Sequence, residues 1–479
     1  MLFSSVPFIC LFFPLFFLLY YLIRPLRAKN VLLLVFSLVF YSWGRIIYLP
    51  LILAASLIGW LGGLMIGRCQ KASRRGGEIA SLVVSLALLL GMLGVFKYAG
   101  FFVENVNSLT GASLPVPQIE LPIGISFYTF QILSYVVDVY RREVPAQKNL
   151  GIVMVYLCAF PQLIAGPVVR YQTVEAELTE RSVSLDDVYD GLRRFIIGLG
   201  KKVLIANTMA VAADGIFSFD PAACGLVASW IGALAYTMQI YFDFSGYSDM
   251  AIGMGRMMGF HYLENFDHPY TAVSVTDFWR RWHISMSSFF RDYVYIPLGG
   301  NRVSKPRWIF NIAVVWMLTG LWHGAAWNFV LWGVYYGVLL VLEKLLWGKA
   351  IAKIPVLRRV YTLLIVVVGW VIFRSESLGG IGRMLYAMAG GYGLGQGSLT
   401  YVMILERAGV GGVFVIAFAA AILLSAGLGR TLGRWVREAA PKPRAAAEAV
   451  GCVLSLAVLV LSVASIASGS YNPFIYFQF

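Results

Sequence analysis

IASLVVSLALLLGMLGVF, residues 79–96, decides the fold class: eighteen residues run without a single charge. As an α-helix at about 1.5 Å per residue this stretch reaches about 27 Å, close to the roughly 30 Å hydrocarbon thickness of a bilayer. Working outward, apolar segments of similar character occupy residues 6–23, 30–41, 48–66 and 121–140, and the pattern resumes at 186–217, 226–242, 329–346, 361–373, 413–428 and 450–466. Of the 479 residues, 59% are hydrophobic and 13% charged, whereas water-soluble domains carry about one quarter charged residues. A soluble fold is thereby excluded, and the expectation is an all-α, multi-pass transmembrane fold forming a single membrane domain over 1–479. No polar stretch is long enough for a separate globular unit.

The formal charge of +14 sits in short clusters between apolar segments, which is how membrane orientation is encoded, and not the footprint of a nucleic-acid binder. Arg24, Arg27 and Lys29 follow the first segment, Arg68, Lys71, Arg74 and Arg75 the third, and Arg141, Arg142 and Lys148 the fifth, while residues 98–140 contain no Lys or Arg. Basic loops face the cytoplasm, so Asn105, Asn107 and Pro115 are expected in an outside loop and both chain termini outside. The first apolar segment lacks a charged region before it and is read as a retained span. Cys10, Cys69, Cys158, Cys224 and Cys452 are scattered and odd in number, giving neither a disulfide framework nor a Cys-based metal site.

Three places interrupt the simple pattern. Residues 150–164 are short, contain Pro161 and are flanked by basic residues, as expected of a segment that enters and returns; such irregular backbone is tolerated at membrane depth only where protein or water covers it. Residues 245–307 read as a long cytoplasmic stretch in which Arg256, Arg280, Arg281, Arg291, Arg302, Lys305 and Arg307 interleave with aromatic residues, suiting interfacial helices. Residues 308–321 make about 21 Å of helix, short of a crossing, and lead to His323 in a hairpin with 329–346.

Only four histidines are present, and an ionisable side chain within a membrane is costly. His323, in LTGLWHGAAWN at 318–328, has small neighbours that leave room for a substrate, and Asn328 near enough to hydrogen-bond. An imidazole of ordinary pKa about 6.5 suits a general base taking a proton from a hydroxyl; a packing histidine at a helix turn is the bland alternative. His283 closes DFWRRWH at 277–283, where structural use is the reading that spacing alone supports. Arg280, Arg281 and Arg291 suit the phosphates of coenzyme A, or equally lipid headgroups. His261, Glu264, Asp267 and His268 lie close in sequence but match no metal-ligand pattern, so no metal is expected. The cluster YFDFSGYSD at 241–249 fits a cavity lining or a helix cap. The tail FIYFQF at 474–479 is too aromatic for a solvated terminus, so it is expected to be buried, as an interfacial anchor or inserted in a groove, where Tyr476 offers a phenol that a histidine can activate.

Residues 122–130 (PIGISFYTF), 160–167 (FPQLIAGP), 241–249, 277–302 and 318–328 together resemble the membrane-bound O-acyltransferase (MBOAT) superfamily, in the branch containing the alginate O-acetyltransferase membrane subunit and the teichoic acid D-alanylation protein. The resemblance runs through most of the chain. It implies a funnel lined by re-entrant helices, His323 as the catalytic histidine and His283 as a second functional position. It further implies a cytoplasmic thioester donor, acetyl-CoA for the alginate-type branch, in the bacterial plasma (inner) membrane. Residues 474–479 look like the tyrosine-containing motif that a separate small protein carries in the teichoic acid system. A relay follows as an expectation: acetyl passes from the donor to Tyr476, with His323 as base, and then to an SGNH-type extracytoplasmic acetyltransferase. Candidate donor- and substrate-binding side chains are Asn328, Arg280, Arg281, Arg291, Asp277 and Trp322. D-alanyl transfer, direct acylation of a lipid or protein, a transporter and a non-catalytic scaffold are the alternatives.

Overall fold

The computed structural model of the chain describes residues 1–351, 353–394, 398–438 and 441–475. Those residues are mostly helical with no β-strand among them, as expected of a chain whose backbone groups find no water to bond. Among the described residues seven helices are long and apolar enough to cross a bilayer: Ile46–Lys71, Arg75–Thr110, Leu185–Phe217, Pro221–Met257, Trp327–Trp347, Pro355–Arg374 and Ala445–Ala467. The bent pair Gly412–Ser425 and Leu428–Val436 makes an eighth if it is one span. The last crossing helix turns Val453, Leu454, Leu456, Val460 and Leu461 outward, a face for lipid to cover. The chain divides into two compact units, residues 1–195 with 250–263, and residues 196–249 with 264–479.

In the first unit the apolar run at 79–96 is the middle of a 36-residue helix, Arg75–Thr110. Asn105 and Asn107 therefore lie on helix and not in the expected loop. Lys97, just past the apolar run, is buried within the same helix and donates to Ser126 Oγ at 3.0 Å. The interrupted segment is broken as its proline suggests: helix Leu150–Cys158 stops at Ala159 (φ −48°, ψ 113°) and helix Phe160–Leu163 follows. Side chains satisfy the freed backbone, with Phe160 N–H donating to Ser37 Oγ (3.0 Å) and Gln162 Nε2 to the Tyr156 carbonyl (2.5 Å). Gly124 (φ +76°) packs here, and a Cβ on it would lie 2.6 Å from the Leu163 carbonyl oxygen. The sequences around residues 124 and 163 thus meet through a position that only glycine fills.

In the second unit the helix Lys305–His323 is 19 residues long, about 28 Å, and ends on His323. The expected 14-residue segment is extended at its start because Pro306 sits in the first turn, where its missing N–H costs nothing. Three residues later Trp327–Leu342 begins, and the pair forms the expected hairpin. Its helices touch backbone to backbone: a Cβ on Gly320 would lie 2.4 Å from the Phe329 carbonyl oxygen, and one on Gly333 2.4 Å from that of Trp316. Small residues that let backbones approach are the usual means of helix association in lipid.

The DFWRRWH segment forms the seven-residue helix Val275–Arg281, and buries Phe278 and Trp279 in a core that includes Trp316, Trp332, Tyr336 and Trp370. Its N-terminus receives the buried Glu343 carboxylate, which accepts from Val275 N–H (2.8 Å), Thr276 N–H (3.2 Å) and the Thr276 hydroxyl (3.0 Å). A carboxylate at a helix N-terminus meets unbonded N–H groups and the positive end of the dipole, which accounts for an acid in an otherwise apolar helix. Helices Leu378–Met388 and Ser398–Arg407 had no counterpart in the sequence reading.

Candidate active site

His323 ends its helix and is buried. Its Nδ1 lies 2.7 Å from the Thr319 carbonyl oxygen. A carbonyl can only accept, so Nδ1 carries the proton and Nε2 is the lone-pair nitrogen of the neutral ring. The imidazole is held edge-on by Trp322 (4.9 Å between centroids), Trp332 (4.9 Å) and Phe373 (5.4 Å). Asn328 donates from Nδ2 to the Phe373 carbonyl at 3.1 Å, which ties the start of the second hairpin helix to the residue that walls the histidine.

His283 separates helices Val275–Arg281 and Ile284–Phe290 in the left-handed backbone region (φ +45°, ψ +54°), an uncommon conformation that the surrounding contacts must enforce. It is fully buried, edge-on to Phe244 (4.6 Å) and 5.8 Å from the Trp322 ring. Its Nδ1 is 3.1 Å from Asn265 Oδ1. That atom also accepts from Ser285 N–H at 3.2 Å, which fixes the amide orientation, so His283 too is protonated on Nδ1. Burial, and then repulsion from His323, push the His283 pKa well below its ordinary value. The ring therefore stays neutral at neutral pH. Trp322 touches both imidazoles.

The remaining predicted positions are distributed differently. Ser274 caps the helix, its Oγ accepting from Asp277 N–H at 3.0 Å, and Asp277 Oδ2 in return accepts from Val273 N–H at 3.1 Å. Its Oδ1 also accepts from Arg281 Nε at 2.9 Å. Arg280 is exposed, and Arg291 forms a two-point pair with Asp292 (2.6 and 3.1 Å). The structure thus brings together His323, His283, Trp322 and Asn328, and sets the arginines around the periphery. His261 bonds to Glu177 at 2.7 Å and Asp267 pairs with Arg430 and Arg281; among the described residues no three metal-binding side chains gather.

The cluster at 241–249 lies inside the helix Pro221–Met257 and not beyond its end, which removes the capping reading. Asp243 is buried and paired with buried Lys202 at 2.8 Å. Ser248 accepts from Asn265 Nδ2 at 3.2 Å, and Asp249 pairs with Lys201 at 2.6 Å. The C-terminal segment is inserted within this unit: Asn207 Nδ2 donates to Asn472 Oδ1 (3.2 Å), Lys202 donates to the Pro473 carbonyl, and Ile475 N–H donates to Asp243 Oδ2 (2.9 Å). Phe474 is buried with its ring 5.0 Å from that of Tyr247. Of the two sequence readings of the tail, insertion is what the structure has through Ile475; Tyr476 lies outside the described residues. Earlier, Tyr471 donates to Asp214, which also pairs with Arg374, at the edge of a polar cavity of about 470 Å³.

Neither Asn265, which orients His283, nor Lys202 is among the candidates read from the sequence. Lys202 carried one signal: it lies halfway along a helix that continues to Phe217, too deep for an interfacial lysine.

The model of the membrane-bound O-acyltransferase family (MBOAT) matches residues 126–375, a span that holds both histidines, Lys202 and Asp243. The chain is 41% identical, over the full length of both proteins, to a Pseudomonas putida protein described as "Probable alginate O-acetylase AlgI". It is 34% identical to a peptidoglycan O-acetyltransferase of Helicobacter pylori, with 81% of this chain and 80% of the relative aligned. Similarity to a teichoic acid D-alanyltransferase of Bacillus subtilis is 29% and covers 51% of this chain and 65% of that protein.

Proposed function

The chain belongs to the membrane-bound O-acyltransferase family and is a multi-pass membrane O-acyltransferase, and from that premise we propose that it moves acetyl from a cytoplasmic thioester to an acceptor for O-acetylation of an extracytoplasmic polysaccharide. Relatives named for alginate and for peptidoglycan, both polysaccharides, support this class of acceptor. An alginate-like exopolysaccharide is the reading adopted, with the protein in the bacterial inner membrane and both termini outside.

The observation that carries the mechanism is the tautomer of His323. With Nδ1–H committed to the Thr319 carbonyl, Nε2 is a base whose ring cannot rotate without breaking that bond and leaving the aromatic cage. Such a preset orientation is what general-base catalysis requires. Nε2 takes the proton of the attacking hydroxyl, whose oxygen bonds to the acetyl carbonyl carbon as the carbon–sulfur bond of acetyl-CoA breaks. The proton then passes to the departing thiolate, so His323 ends as it began. The carbonyl end of the helix on which the ring sits favours the positive charge it bears in between. His283, neutral and fixed by Asn265, shares Trp322 with His323 as a ring neighbour.

The first acceptor is the phenol of Tyr476, the residue that follows the inserted Ile475. A phenyl ester is an activated ester, so onward transfer to the serine of an SGNH-type transferase, and from there to a sugar hydroxyl, need not run uphill. Charged acetyl-CoA never crosses the bilayer. The arginines at 280, 281 and 291 remain the proposed contacts for the donor's phosphates, with Asp277 holding Arg281 in place and Asn328 and Trp322 at the acetyl group.

The test is to incubate the purified protein with radiolabelled acetyl-CoA and to locate label by mass spectrometry in wild type, His323→Ala and Tyr476→Phe. Label on Tyr476 that is lost in both variants is the expected result. Label elsewhere in Tyr476→Phe overturns the relay in favour of direct transfer, and no label with acetyl-CoA but label from a D-alanyl thioester overturns the donor.

A further inference from the structure

We infer that Lys202 and Asp243 form an anchor that holds the C-terminal segment in its groove, making them positioning residues for the tail and not merely a structural ion pair. This deepens the relay reading, in which the tail is the acyl carrier, and rests on it for the functional consequence alone.

An ion pair taken out of water is a poor source of stability, because desolvating both charges offsets most of their attraction, and apolar replacements of similar volume are often as stable. A lysine within an apolar, membrane-crossing helix is costlier still and calls for a role. Here the two charges are 3% and 2% exposed and 2.8 Å apart, and each also bonds to the tail. Lys202 Nζ donates to Asn207 Oδ1 (2.9 Å) and to the Pro473 carbonyl. Asp243 Oδ2 accepts from Ile475 N–H. The ammonium thus reads an acceptor and the carboxylate a donor two residues further on, both on the main chain. Main-chain donors and acceptors recur at each residue, so these two bonds hold the segment in its groove, and its side chains set which residues they meet: Phe474 lies against Tyr247 at 5.0 Å. Asn207 repeats the reading one residue earlier at Asn472, and the Lys202 ammonium lies 5.9 Å from the Phe474 ring centroid.

Local structure agrees. Lys202 sits in the π-helical turn Lys201–Ala206, a wider turn found mainly at functional sites. On the other side, Asp243 is followed by Phe244, whose ring packs on His283. Ile475 is therefore bonded to the residue next to one that touches His283. The anchor thus fixes the chain as far as Ile475.

The experiment is timed carboxypeptidase digestion of the full-length protein in detergent, followed by intact-mass spectrometry, for wild type, Lys202→Met/Asp243→Leu and Asp243→Asn. The double variant replaces the pair by apolar groups of similar size and leaves no charge alone; Asp243→Asn keeps shape and weakens only the charge-assisted bonds. Two such bonds to the tail are lost in the double variant, so trimming past Ile475 is expected to be at least about tenfold faster than in wild type. His323-dependent labelling of the tail should fall with it. Unchanged trimming in whichever of the two variants keeps a cooperative thermal transition overturns the anchor. Faster trimming in variants whose product acetylation stays at the wild-type level upholds the anchor and refutes the relay instead, so the two ideas fail separately.

Discussion

Replacing Gly333 by alanine adds one methyl group where the two hairpin helices already touch. The new Cβ would lie 2.4 Å from the Trp316 carbonyl oxygen, and ordinary contact begins at 3.4 Å; the helices must separate by the difference, 3.4 − 2.4, about 1 Å. Backbone cannot yield as a side-chain tip can, so the shift passes to Trp332, which adjoins Gly333 and packs on His323 at 4.9 Å. Overpacking of this kind costs about 1–3 kcal/mol, while a displacement of 1 Å at a reacting centre costs about a hundredfold in rate. Activity should therefore fall further than stability. The assay is transfer of labelled acetyl by purified Gly333→Ala per folded molecule, beside its thermal transition. Gly382→Ala is the control, since a Cβ there meets nothing within 4 Å and alanine in a helix is worth up to about 1 kcal/mol. Wild-type turnover with an unchanged transition in Gly333→Ala would falsify the backbone contact and the coupling drawn from it.

His323→Ala should lower transfer by about 10²- to 10⁴-fold, the contribution of a positioned base, with the protein still folded by thermal transition; a smaller loss means that another group takes the proton. Because the folded His283 pKa lies well below the ordinary 6.5, the unfolded chain binds the extra proton between those values. Its stabilising contribution is complete above about pH 6.5 and is lost as pH falls towards the folded value. Melting temperatures taken between about pH 7.5 and about pH 5.5 should fall more steeply for wild type than for His283→Asn, which keeps the left-handed backbone; parallel profiles would show that His283 does not carry the slope. Glu343→Ala should destabilise the protein by about 1–3 kcal/mol through the stranded N–H groups of Val275 and Thr276, while Glu343→Gln, which retains an acceptor, should cost less in the same melt. Equal costs would mean that the carboxylate is not acting as a cap.

Apolar runs such as 79–96 are legible because burying a backbone in lipid allows little besides a helix, and Pro161 announced its break for a similar local reason. The insertion of the tail was legible as far as Ile475, the last described residue, since exposed termini do not look like FIYFQF. What was not legible depends on partners distant in sequence. Lys201 and Lys202 are adjacent in sequence, and only Asp243 and the tail carbonyl of Pro473 distinguish the buried lysine from its half-exposed neighbour. Asn265 occupies an unremarkable polar stretch, and its role appears only when the chain brings residue 285 beside it. The helix Leu378–Met388 carries three glycines near its start, a composition that argues against helix. It forms because Ser377 caps it and Ile381, Met384, Ala387 and Met388 are buried together along one side.

The tail's insertion also sets a law of mass action. The last helix ends at Ala467 and the first docked side chain is Tyr471, so the three intervening residues tether the segment within about 11 Å of its seat. Tethers this short hold a ligand at an effective concentration of about the millimolar range. Occupancy of the seat is thereby first-order, the same in a cell making few copies as in one making many, and a free peptide of the same sequence would have to be supplied in great excess to compete for it.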